Sequence, residues 1–85
     1  MEYLVFAFRS RAQTVKFSNF LRNNGVSNEI INTPKEAGVG CGLSVKLNSN
    51  QLNVAKRAVA TAGLDSFAGI FMVKLIGGKR FVRTI

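Results

Sequence analysis

The 85-residue chain contains no histidine, no tryptophan, one proline and one cysteine, Cys41. Without a second cysteine no intramolecular disulfide can form, and without histidine a structural zinc site has no ligand set within one chain. Ser-His-Asp and Cys-His catalytic pairs are excluded for the same reason. The only acids are Glu2, Glu29, Glu36 and Asp65, a poor supply for a paired-carboxylate hydrolase. No metal or cofactor is expected, and self-contained hydrolysis is not the role of such a chain. The longest early apolar run, Tyr3 to Phe8, is too short to cross a bilayer. It has neither a basic region before it nor a small-residue cleavage site after it, so the expectation is a soluble, cytoplasmic protein.

What is present is positive charge. Twelve basic residues against four acidic ones give a net charge of +8, which bears on partners and solubility rather than on fold. The bias is strongest at the end, where Lys74, Lys79, Arg80 and Arg83 follow the last acid, Asp65. Apolar residues make up 47% of the chain, enough for one modest core, and a single domain over residues 1–85 is expected.

Tyr3 to Phe8 is β-branched, aromatic and continuously apolar, the pattern of a buried central strand. Ser10 can cap a helix to about Asn24, with Ala12, Val15, Phe17, Phe20 and Leu21 available for burial and Gly25 as its terminator. Asn28 to Asn32 predicts a second strand, ended by Thr33-Pro34, and Leu43 to Leu47 alternates as a third. Asn48-Ser49-Asn50 can cap a second helix with Leu52, Ala55, Val59 and Ala62 on one face and Gly63 at its end. Phe67 to Leu75 and Lys79 to Ile85 form a hairpin about Ile76-Gly77-Gly78. The order predicts an α+β fold: a ferredoxin-like βαββαβ sandwich with one strand added by the C-terminal hairpin.

That arrangement leaves one sheet face without helices. If Leu4, Phe6 and Phe8 face the helices, Tyr3, Val5 and Ala7 face away. Strand 67–75 likewise alternates Phe67, Phe71, Val73 and Leu75 with Ile70 and Met72. Large bare apolar patches are rare, so the open face or the terminal hairpin is expected to be covered in a symmetric homodimer.

Gly38-Val39-Gly40-Cys41-Gly42 is the most informative stretch. Gly38, Gly40 and Gly42 remove bulk, permit positive φ and leave the sulfur approachable. Such a loop can turn its amides toward an anion, and toward a thiolate in particular, which would raise the reactive fraction. Lys35 and Lys46 are near enough in sequence to add positive potential. The plainer alternative is a small packed cysteine beside a tight turn. A phosphate site is weakly supported, because neither GxxxxGK[ST] nor a GxGxxG opening a helix is present.

Thr33-Pro34-Lys35-Glu36, a short glycine-containing spacer and Cys41-Gly42-Leu43 opening a strand resemble the signature of the selenium/sulfur carrier-like family of small bacterial proteins. The resemblance extends over most of the chain, from the Ser10-headed helix ending at Gly25-Val26 to the helix ending at Ala62-Gly63. It implies that Cys41 is a sulfur or selenium acceptor, with Gly40 and Gly42 shaping the loop and Pro34 fixing its entry. It also implies a donor of the cysteine desulfurase or selenocysteine lyase type. The chain's strong basicity departs from the family pattern. Two other roles fit the residues: a basic nucleic-acid-binding module, for which the third strand lacks the expected aromatics, and a structural or regulatory dimer with Cys41 inert.

Overall fold

In the computed structural model, which describes residues 1–38 and 41–85, the elements run β1 (Glu2–Phe8), α1 (Arg11–Asn23), β2 (Asn28–Asn32), β3 (Leu43–Asn48), α2 (Leu52–Thr61), β4 (Phe67–Ile76) and β5 (Lys79–Thr84). Single 3-10 turns at Lys35–Ala37 and Ser49–Gln51 precede β3 and α2. The protein is α+β: one five-stranded antiparallel sheet, in the order β2-β3-β1-β4-β5, with two helices. β1, the most apolar strand, lies in the middle of the sheet, and Leu4 to Phe8 are completely buried.

Local signals end the elements where the chemistry asks. The Ser10 side chain accepts the Gln13 N–H at 3.2 Å, which satisfies one of the free amides of α1. Gly77 and Gly78, at φ 55° and 78°, form the two-residue turn whose twist matches the flanking strands.

One face of the sheet meets the helices through Leu4, Phe6, Phe8, Val45, Leu47 and Ile70, packed with Phe17 and Leu21 of α1 and Ala55 of α2. Phe8 and Phe17 lie 5.1 Å apart between ring centres, and Phe6 and Phe17 5.4 Å. The buried stripe of α1 differs from the expected one. Thr14, Phe17, Ser18 and Leu21 are inside, whereas Ala12 and Val15 face solvent. The spacing of Phe17 and Leu21 forces this, because a helical stripe through both also passes through positions 14 and 18. The two hydroxyls are satisfied: Ser18 donates to Asn28 Oδ1 at 2.6 Å and Thr14 to the Ser10 carbonyl at 3.1 Å.

A second correction concerns β4. Phe8 pairs with Phe67 and Ala7 with Gly69, so the ladder shifts by one residue at Ala68. This bulge turns Phe67 to the helix side with Ile70 and Met72, away from Phe71 and Val73.

The face without helices is not bare. Val5, Ala7 and Val73 are fully buried there and Phe71 is 6% exposed. Their cover includes Ala37, with Ile31 and Val82 at the sides. The described part of the β2–β3 connection up to Gly38 thus lies against this face as a strap. Its base is closed by the Thr33 N–H on the Gly42 carbonyl at 2.9 Å and by the Thr33 and Ser44 hydroxyls at 2.6 Å. Its far end is held by β5: Arg80 donates to both carboxylate oxygens of Glu36, at 3.0 and 2.8 Å. Val5, Ala7, Phe71 and Val73 are thus buried on this face within a single chain, where the sequence led us to expect a bare apolar patch.

Candidate functional site

Cys41 lies at the end of the sheet where β1 hands over to α1. Its N–H donates to the Phe8 carbonyl at 3.0 Å, two residues out of register with the β3–β1 ladder, and ties the loop to the end of β1. The side chain then turns to the first turn of α1. Cys41 Sγ is 3.8 Å from Thr14 Oγ1 and donates to the Leu43 carbonyl at 3.7 Å. Cys41 is half-buried and backed by a wholly buried threonine.

These contacts define what the sulfur can do. The Thr14 hydroxyl donates its proton to the Ser10 carbonyl, leaving its oxygen free to accept. The Leu43 carbonyl also accepts. A neutral S–H is therefore well placed as donor. When the proton leaves, the Thr14 hydroxyl has to swing from Ser10 to Sγ to supply a donor to the anion. The N-terminal end of α1, with its positive end of the helix dipole, lies on the same side.

The junction is held firmly. Ser66 accepts the Arg9 N–H through its carbonyl at 2.8 Å and donates its hydroxyl to Gln13 Oε1 at 2.6 Å. The Gln13 amide in turn donates to Asp65 at 2.7 Å. The loop after α2 therefore fixes the turn of helix that carries Thr14.

Of the residues singled out from the sequence, Pro34 is buried and opens the 3-10 turn Lys35–Ala37. Gly38 and Gly42 adopt φ of 65° and 96°, as a tight loop requires. Gly40 and Val39 lie outside the described residues. The expected ring of loop amides about the sulfur is not what the described residues form: the Ala37, Gly38 and Cys41 amides donate to the Pro34, Lys35 and Phe8 carbonyls. Lys46 is also not brought to the thiol. It pairs with Glu29 at 3.3 Å and lies 4.5 Å above the Tyr3 ring, toward the opposite end of β1. Lys35 is exposed beside Glu36, and no described hydrogen bond or ion pair joins it to Cys41. The structure brings Thr14 instead, and the signal for it was available: its place in the Phe17–Leu21 stripe puts a hydroxyl on the buried side of α1.

Among the described residues no group of three or more His, Cys, Asp or Glu could hold a metal ion, and no helix is long and apolar enough to cross a membrane.

Fold and site together describe a small α+β protein that presents one thiol at a helix start. The chain belongs to the family described as "Putative Se/S carrier protein-like", whose model matches residues 3–68, Cys41 and its loop included. Comparison with curated proteins and with solved structures gives no match.

Proposed function

We propose that this protein carries a sulfur or selenium atom on Cys41, taking it from a donor enzyme and passing it to an acceptor. The family membership carries this reading, and a cysteine that is not fully buried supports it. In the loading step the Cys41 thiolate attacks the terminal sulfur of a persulfide on the donor. A new S–S bond forms at Cys41, the donor's S–S bond breaks, and the donor cysteine leaves as a thiolate. No external oxidant or reductant enters. With a selenium donor the product is a selenenylsulfide by the same displacement. The donor is of the cysteine desulfurase or selenocysteine lyase type, with a pyridoxal phosphate of its own, and the acceptor is a further protein. A lone cysteine suits a carrier, since no internal second thiol can discharge the cargo as a disulfide.

The frame is read as a ferredoxin-like unit, β2-β3-β1-β4 with two helices, to which β5 is appended. Such sheets can bind single-stranded nucleic acid by stacking bases on the free face. Here that face lies under the strap and the Tyr3 ring under Lys46, which favours the carrier over the nucleic-acid reading.

Incubation with a cysteine desulfurase and cysteine, followed by intact mass, tests the proposal. The expected product is heavier by one sulfur atom, loses it to dithiothreitol, and is absent from Cys41→Ser. No adduct on the wild type, with a donor shown to load another acceptor in parallel, would refute it.

A further inference from the structure

Half of the large apolar side chains that stay exposed among the described residues lie on the β4–β5 hairpin. They are Leu75, Ile76, Phe81 and Ile85, with Phe81 53% exposed. β5 is also an edge strand. The Ile85 N–H donates to Ile70 at 3.0 Å, and Lys79 pairs with Ile76 across the turn. Odd-numbered residues therefore bond to β4, while Arg80, Val82 and Thr84 turn their N–H and C=O groups outward. An exposed edge of this kind is a template for another strand.

We infer that β5 pairs antiparallel with β5 of a second copy about a two-fold axis at Val82, joining two sheets into one. Charge selects the register, and the self-complementary free edge selects a second copy as the occupant. With the axis at Val82, Arg80 stands opposite Thr84 of the second copy, Phe81 opposite Arg83, and Lys79 opposite Ile85. No two cations face each other, and each Arg83 guanidinium meets an aromatic ring. Moving the axis to Phe81 sets Lys79 against Arg83. Moving it to Arg80 or Arg83 sets that arginine against itself, and like charges directly opposite are destabilising. The Val82 register also satisfies the outward groups of all three edge residues, about six main-chain hydrogen bonds in total. The Arg80 charge is already matched by Glu36 on the strap side, and that of Lys74 by Glu2 at 3.7 Å. The two-fold contact closes on itself, whereas pairing β5 with β2 of another copy would propagate. Cys41 plays no part in this contact, so the inference stands apart from the carrier reading.

Two substitutions at one exposed position test the register. Phe81→Lys places a cation opposite Arg83 twice, and should weaken the dimer about tenfold or more. Phe81→Glu removes the same ring but places an anion opposite Arg83, and should keep dissociation within about threefold of the wild type. Light scattering after size exclusion should give twice the 9.3 kDa chain mass for the wild type at micromolar concentration. Added salt should tighten the contact, because Lys79 and Arg83 of the second copy stand diagonally on one face. A wild-type monomer at submillimolar concentration, equal loss in both variants, masses that keep growing with concentration, or a monomer that uses Phe81 to bind an oligothymidylate would each overturn the inference. Circular dichroism confirms that both variants fold.

Discussion

Replacing Thr14 by valine probes the thiol site through a residue two elements away in sequence. Valine has the shape of threonine, so the wholly buried position stays filled while the hydroxyl is lost. The neutral thiol keeps its bond to the Leu43 carbonyl. The anion loses the only side-chain hydroxyl described within reach of Sγ. The hydroxyl gives up the Ser10 carbonyl to reach Sγ, so its net support of the reacting sulfur is at most about 1 kcal/mol, and its loss should slow alkylation by no more than about fivefold. Iodoacetamide kinetics at one fixed pH measures the rate. Thr14→Ser, which keeps the hydroxyl, should restore the wild-type rate. The lost bond to Ser10 should also cost about 1 kcal/mol of stability, so folding is checked at the assay temperature. An unchanged rate in Thr14→Val, or equal slowing in Thr14→Ser, would sink the argument.

Val5 tests the second core. Val5→Ala removes two buried carbon groups and leaves a void, a loss of about 2 kcal/mol, or roughly 8–16 °C in Tm for a chain of this size. Val15→Ala, on the exposed side of α1, should change stability by no more than about 0.5 kcal/mol, and thermal melts that ranked the two the other way would contradict the strap's cover. The strap tether should be sensitive to acid. The hydrogen bond from Arg80 holds the Glu36 carboxyl below the ordinary glutamate range, with the charges of Arg80 and Lys35 acting in the same sense. A lowered folded value means that the contribution is present above the ordinary pKa, about 4.3, and is lost as pH falls through the lowered one. Wild type should thus melt higher than Glu36→Gln at pH 6, and the gap should close below about pH 4. A gap that persists at low pH would show that the tether does not depend on the charge. Both groups are exposed, so the gap is small.

Most of the framework was legible from short-range pattern. β2 ends where Thr33-Pro34 stops it, and the Gly77-Gly78 turn pairs β4 with β5 as its twist demands. Reading failed where geometry depends on distant neighbours. Apolar character alone picked Ala12 and Val15 for the stripe of α1, whereas the spacing of Phe17 and Leu21 buries Thr14 and Ser18, whose partners Ser10 and Asn28 come together in the fold. The bulge at Ala68 breaks the period of two that assigned Phe67 to the wrong face. The strap is closed by a pair 44 residues apart, Glu36 and Arg80, and by the small Ala37, neither of which signals burial locally. At the site, the cysteine and its loop glycines stood out by composition alone. Thr14, 27 residues away, did not, and Lys46 was drawn off by an acid on the neighbouring strand.

The stretch of sequence that marks the family stops at residue 68, one residue after Phe67, where β4 begins. Yet β4 supplies Ile70 to one core and Phe71 and Val73 to the other, and β5 supplies the arginine that fastens the strap. A fragment cut at the limit of likeness would leave the central strand with an open flank and its loop unmoored. The final seventeen residues therefore belong to the same cooperative unit as the thiol, and they are free to differ in sequence only while they still provide a neighbour strand and a cation at its turn.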